Sequence, residues 1–247
     1  MNRTHLLSEL EALLAASTFK DYCPNGLQIQ GCNSITKIAT AVTASRVIVE
    51  AAADWGAHVL LVHHGYFWKG EDAPIVGMKH GRIATLIRND INLIAYHLPL
   101  DAHPTLGNNA QLGARLGFTA EGQLPMQDLV WQGSSDCQTL GELALKIEQV
   151  LGRMPQLIGS PDAPVGKVAW CTGAAQGFIS DAAAWGANTY LSGEISERTF
   201  HEAGELGINY LACGHHATER YGVQALGEYL TREFALDCRF FDEDNPV

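Results

Sequence analysis

The sequence predicts an α/β protein of two similar interlocked halves, each a mixed or parallel sheet flanked by helices. Three observations carry this prediction. Apolar runs of strand length alternate with segments of helical period. Several of those runs end at a histidine or a carboxylate. One stretch of chain also repeats another. Displaced by 130 positions, Lys37-Ile38-Ala39 falls on Lys167-Val168-Ala169, and Ala52-Ala53-Asp54-Trp55-Gly56-Ala57 falls on Ala182-Ala183-Ala184-Trp185-Gly186-Ala187.

Taken in order, residues 1–19 carry apolar side chains at Leu6, Leu7, Leu10, Leu13 and Leu14. That spacing predicts an amphipathic helix with Thr4 as its N-cap, unlike a secretory leader. Asp21 to Gln30 contains Pro24-Asn25-Gly26, which reads as a turn. Lys37 to Ala41, Val59 to Val62 and Leu93 to Tyr96 are the strands of the first half. Val168 to Cys171, Thr189 to Ser192 and Tyr210 to Cys213 are those of the second. An Ala-rich helix ending at Gly56 or Gly186 precedes the second strand of each set, because glycine takes the left-handed conformation that stops a helix. Thr139 to Leu151 and Tyr221 to Phe234 read as further amphipathic helices. The polar stretch 120–133 is expected to be irregular and to mark the boundary. This gives a first half, 1–125, with His63, His64 and Asp101, and a second, 126–247, with Glu194, His215 and Glu219.

Charged residues are 17% of the chain and hydrophobic ones 47%, as in a globular protein. The net charge of −11 leaves no excess of Lys and Arg to neutralise phosphates, so nonspecific nucleic-acid binding is not expected. No apolar run reaches the length of a membrane span. The 6 cysteines include no C-x-x-C pair, consistent with reduced, buried thiols and a cytoplasmic protein.

The chemistry gathers at strand ends. His63-His64-Gly65 closes one run, His97 follows another with Asp101 just beyond, and Gly214-His215-His216 closes a third, with Glu219 four residues after His215. Parallel strands joined by helices present their C-terminal ends on one edge, where ligands bind. Imidazole and carboxylate donors there suit divalent cations. Adjacent strand residues face opposite ways, so His63 and His64 can share one site only if the strand stops at Val62 and the chain turns. The spacing of His215 and Glu219 places both on one helix face. Asp101 reads as a ligand or as a capping residue, His97 and His103 as proton-shuttle or supporting groups. Thr172 to Ala175 offers backbone amides to an anion or makes a plain turn. His5, His58, His80 and His201 read as solvated.

These motifs resemble the GTP cyclohydrolase I type 2 homologue family, also called the Ngg-interacting-factor-three-like family. The matching pieces are Asn25-Gly26-Leu27-Gln28 after Asp21, Val62-His63-His64-Gly65, His97-x-x-x-Asp101 with Gly107-x-Asn109, Ser192-Gly193-Glu194, and Gly214-His215-x-x-x-Glu219. The compact length is similar to the short form of the family. The resemblance implies that family's fold, a toroidal homohexamer, and a dinuclear centre held by His63, His64, Asp101, His215 and Glu219, with Glu219 bridging. It implies no ligand role for His216. The metals implied are Fe, Mn, Zn or Mg.

The leading functional reading is a metal-dependent hydrolase of a nucleotide-like or phosphate-bearing small molecule, with His97 or Glu194 moving the proton. A non-catalytic metal-binding or protein-interaction ring and a metallo-amidase or peptidase are the alternatives.

Overall fold

In this computed structural model, which describes residues 1–247, capping residues explain where the helices begin and end. α1 (Arg3–Leu14) starts at Asn2, whose side chain accepts the His5 amide, two residues before the Thr4 cap expected. β1 (Gly26–Ile29) and β2 (Lys37–Thr43) follow. Ser45 caps α2 (Arg46–Trp55), which Gly56 ends at φ 73°. β3 (Val59–His64), α3 (Gly77–Arg88) and β4 (Asn92–Ala95) complete this part. α4 (Leu98–Ala102) carries the chain into the second unit, which begins at Asp101.

The second unit contains α5 (Asn108–Arg115), β5 (Thr119–Leu124), β6 (Gln127–Ser134), α6 (Leu140–Leu151), β7 (Gln156–Ile158), β8 (Lys167–Cys171), α7 (Ile179–Trp185), β9 (Thr189–Ser192), α8 (Glu197–Leu206), β10 (Asn209–Ala212) and α9 (His215–Thr218). Thr139 and Glu142 form a reciprocal capping box at the start of α6. α7 ends at Gly186 with φ 95°, as α2 ends at Gly56. The chain then returns to the first unit through α10 (Arg220–Phe234) and β11 (Asp237–Phe240).

The first unit comprises residues 1–100 with 222–244, and the second 101–221 with 245–247. The stretch 120–133, expected to be an irregular boundary, is instead the β5–β6 hairpin, and β6 pairs antiparallel with β8 inside the second unit's sheet. The division falls at Leu100–Asp101, so Asp101 lies with Glu194, His215 and Glu219.

The first unit's sheet has the order β1-β4-β3-β2-β11, with β1 the antiparallel edge and the other neighbours parallel. The second's has the order β5-β6-β8-β9-β10-β7, with β8, β9 and β10 parallel. Each sheet therefore carries a parallel triplet, β2-β3-β4 or β8-β9-β10, as the repeat requires. β8 shows why helices cover both faces. Val168 and Trp170 pack with Leu140, Leu143 and Ile147 of α6, while Ala169 and Cys171 pack with Ile179 and Ala182 of α7. In the first unit, Leu60 and Val62 pack against Val49 and Ala52 of α2 and Leu86 of α3. No helix is long and apolar enough to cross a membrane.

Candidate metal centre

β3 runs two residues further than the sequence predicts. Thr43 pairs with His64, and the His64 carbonyl accepts the Ala44 amide, so the ladder continues through both histidines. His63 is fully buried and His64 half-buried at the strand's last positions. Their ring centroids nevertheless lie 4.5 Å apart. The His97 ring joins them, 5.1 Å from His63 and 5.8 Å from His64. One ring nitrogen from each of the three lies within 4.8 Å of the others.

Each imidazole is anchored through Nδ1. His63 Nδ1 donates to the Tyr96 carbonyl at 3.0 Å, and His64 Nδ1 lies 3.1 Å from the Thr43 hydroxyl. His97 Nδ1 donates to Asp21 Oδ1 at 2.7 Å. Such bonds to the outer nitrogen fix tautomer and ring orientation in metal-binding histidines.

The turn expected over residues 21–30 does more than reverse the chain. Asp21 also accepts the Tyr22 and Leu98 amides and the Asn25 side chain. Asn25 Oδ1 accepts the His97 amide at 2.8 Å, and Gln28 Oε1 accepts the Tyr66 amide at 2.7 Å. These side-chain amides tie β1 to the chain after β3 and β4. A Cβ on Gly65 would collide with Gln28 and Ala95, which explains the glycine after the histidine pair. The available signal in the sequence was the run of amide side chains flanking a short strand. Burial alone pushes the Asp21 carboxyl up, but hydrogen bonds from His97 and Asn25, the His97 charge and the Tyr22 amide outweigh it and bring it down to about 2.

The second unit gathers Asp101, Glu194, His215 and Glu219. Asp101 and Glu219 are buried, and a carboxylate oxygen of each lies within 4.8 Å of the other. Asp101 Oδ1 accepts from Asn108 at 2.8 Å and from the Thr172 hydroxyl at 3.3 Å. His215 Nδ1 donates to Glu194 Oε1 at 2.7 Å, and its Nε2 lies 3.0 Å from Glu219 Oε2. Burial lowers the His215 pKa, but the Glu219 and Glu194 carboxylates more than offset that and bring it up to about 9. The sequence placed His215 and Glu219 on one helix face. α9 is a single turn ending before Glu219, which sits at its C-cap, yet the two side chains still meet.

Thr172 to Ala175 offers less than the sequence allowed. The Gly173 amide donates to Thr218 Oγ1, and its carbonyl accepts from Ser192 Oγ. Gly173 has φ +68°, and a Cβ there would collide with Glu219 Oε1, so the loop is pressed against that carboxylate. His103 Nδ1 accepts the Thr105 and Leu106 amides and so caps the turn that follows it. His58 accepts the Thr36 and Lys37 amides instead of lying idle in solvent. His216 is buried, with its amide donating to the Val247 carbonyl.

Each unit is thus an α/β layer whose strand ends carry imidazole and carboxylate donors of the kind that hold divalent cations. The chain belongs to the Duf34/NIF3 (NGG1p interacting factor 3) family, whose description matches residues 1–246. It is 49% identical over 246 residues to the GTP cyclohydrolase 1 type 2 homolog of Pseudomonas aeruginosa, covering 98% of this chain and 97% of that one. It is 48% identical to the Escherichia coli (strain K12) protein of the same description, covering 100% of both. Among solved structures, protein ybgI, described as of unknown function, superposes with a TM-score of 0.95 at 47% identity over 100% of both chains. TTHA1606 from Thermus thermophilus superposes with a TM-score of 0.90 at 32% identity, again over 100% of both.

Proposed function

We propose that the chain binds two divalent cations through His63, His64, Asp101, His215 and Glu219, with Glu219 bridging, and hydrolyses a nucleotide-like or phosphate-bearing small molecule. The observation that carries this reading is the state of the donors. His63, His64 and His215 are each anchored through Nδ1 by a carbonyl, a hydroxyl or a carboxylate, and Asp101 and Glu219 are buried carboxylates. A mixed nitrogen and oxygen donor set suits Fe, Mn, Zn or Mg. Such cations, when bound, would supply Lewis acidity that lowers the pKa of a water and offsets charge developing on the substrate.

The chain's own residues do the rest. Asn108 and Thr172 hold Asp101 Oδ1 in place. Glu194 orients His215, and its carboxylate, or His97, accepts the proton that the attacking water loses. The relatives' description as cyclohydrolase homologues supports a nucleotide-like substrate. We place the protein in the cytoplasm and its assembly as a toroidal homohexamer. The solvent-facing apolar residues Ile75, Val76 and Met78 support self-association.

The deciding experiment presents nucleotides, phosphoesters and cyclic amides to the metal-loaded protein beside a His64→Ala control. Multi-turnover product release, abolished by chelation and restored by metal, is expected from the first two classes. Turnover only of amides would replace this reading with a metallo-amidase. Metal binding with no turnover would leave a non-catalytic ring. Light scattering at micromolar concentration checks the hexamer, and a monomer would refute it.

A further inference from the structure

Two aromatic side chains stand beside His97 in the first unit, and neither belongs to the hydrophobic core. The Trp68 ring lies 5.0 Å from the His97 ring and 5.9 Å from that of His64, and the Tyr22 ring lies 6.3 Å from His97. Trp68 is half-buried and Tyr22 is 62% exposed. We propose that Trp68 and Tyr22 form a stacking platform for a planar heteroaromatic ring, so that the substrate of this site carries a nucleobase and is not a bare sugar phosphate or alkyl phosphoester. This rests on the hydrolase reading given above and narrows its substrate class.

The backbone around Trp68 carries the inference. Phe67, the residue before it, holds φ +66°, a left-handed conformation that a bulky side chain adopts only at a cost. Such strain persists where the surroundings fix it, and it gathers at sites that grip ligands. Here the surroundings are dense. The Trp68 amide donates to Glu71 Oε2 at 3.1 Å, its carbonyl accepts the Glu71 amide at 2.9 Å, and its indole Nε1 donates to the Gly65 carbonyl at 3.2 Å. Lys79 staples the same loop. Its Nζ lies 3.3 Å from Glu71 Oε1, donates to the Asp72 carbonyl at 2.8 Å, and sits 5.3 Å from the centre of the Phe67 ring. An indole held this firmly, yet left partly open to solvent, loses little freedom when a second ring settles on it. Tyr22 is tied to the same place. Its carbonyl accepts the Lys69 amide at 2.7 Å, and its amide donates to Asp21 Oδ1, the oxygen that also holds His97. Two segments distant in sequence thus set one aromatic each beside the same imidazole.

The chemistry of the platform selects the ligand. Offset stacking on an indole or phenol face needs a flat ring, and every nucleobase has one. A sugar phosphate or an alkyl phosphoester presents no such face. Stacking also needs no countercharge, which matters in a chain whose net charge is −11 and which therefore repels an anionic substrate at long range.

The test measures binding to the full chain loaded with Co²⁺. The probes are guanosine and adenosine 5′-monophosphate against ribose 5-phosphate, which keeps the sugar and phosphate without the base. Equilibrium dialysis gives each affinity for wild type, Tyr22→Ala, Trp68→Ala and Trp68→Phe. At least one nucleotide should bind wild type about fivefold or more tightly than ribose 5-phosphate does, the lower end for one stacked base. Tyr22→Ala and Trp68→Ala should lose most of that margin with ribose 5-phosphate binding unchanged, and Trp68→Phe should retain most of it. The fluorescence that wild type has and Trp68→Phe lacks should be quenched by the nucleotide and not by ribose 5-phosphate, a signal that a merely structural Trp68 would not give. If Trp68→Ala releases its cobalt, Tyr22→Ala and the fluorescence decide. Absence of nucleotide binding, equal affinities for nucleotide and ribose 5-phosphate, or a margin that survives in both alanine variants would overturn the platform and leave metal-dependent hydrolysis of phosphoesters standing. The expected margin in a protein that turns over neither nucleotides nor phosphoesters would keep the platform and overturn the hydrolase reading instead.

Discussion

His97 and Asp21 stand 76 residues apart in the chain and meet at 2.7 Å. The Asp21 side chain is 3% exposed, so its charge is held by fixed donors rather than by solvent. With its pKa depressed from 3.8 to about 2, it stabilises the folded state fully above pH 4, and that contribution disappears as the pH falls through 2. The shift corresponds to about 2 kcal/mol. Urea unfolding of wild type should therefore weaken between about pH 4 and pH 2 more steeply than unfolding of Asp21→Asn, whose residue 21 does not titrate. Parallel pH profiles for the two proteins would contradict this.

Glu219→Gln should lose at least one metal, because an amide offers one weak oxygen where a carboxylate bridges with two. Glu194→Gln should retain both at saturating metal. Glu194 touches His215 through the outer nitrogen and is 35% exposed, so its loss loosens a ligand without removing one. Elemental analysis of both variants after metal loading checks this. Two fully occupied metals in Glu219→Gln would remove its bridging role.

Two glycines with similar backbones separate strain from crowding. Gly186 has φ +95° with nothing within 4 Å of an added Cβ, so Gly186→Ala should cost only the left-handed strain, about 1–2 kcal/mol. Gly173 has φ +68° and Glu219 in the way. Gly173→Ala should cost about 3 kcal/mol or more, from strain plus displacement of a buried carboxylate, and should also lower metal affinity. Denaturant midpoints and cobalt titrations of the pair distinguish the two effects.

The thiols should divide by burial. Cys171 is buried, and burial first, then the Asp101 and Glu219 charges, pushes its pKa well up. Burial does the same to Cys213. Neither should react with an alkylating reagent at pH 8 in the folded protein, while the half-buried Cys137 should label. Mass spectrometry of the folded and urea-unfolded chain, where all 6 should label, provides the count.

Much of the scaffold was legible because its signals are local. Val59 to Val62 is an apolar run between the helix-ending Gly56 and His63, Thr189 to Ser192 follows the helix-ending Gly186 in the same register of the repeat, and both are strands. The α6 boundary followed from Thr139 and the apolar spacing up to Leu151. What escaped depends on distant partners. The hairpin 119–134 is polar because much of β5 faces solvent, and only its pairing with β8 makes it part of a sheet. Asp21 and Asn25 looked like turn residues because their partners, His97 and Leu98, lie more than 70 residues away. The donors in each unit were visible as strand-end clusters. The anchors Thr43 and Tyr96 were not, since a hydroxyl and a backbone carbonyl leave no motif, and Asp21 was visible only beside a turn and not as the partner of His97.

The order in which the chain is laid down gives the return of α10 and β11 a kinetic meaning. β11 pairs with β2 at Asp237 and Lys37, across 200 residues of sequence. During synthesis, residues 101–221 can condense around their own sheet while the first 100 residues still show an open strand edge at β2. The early segment is thus made first and finished last, and that edge stays available to other chains until the final strand emerges. A nascent chain stalled before Gly222 should resist protease across 101–221 and be cut within 1–100, and extension past Phe240 should protect both.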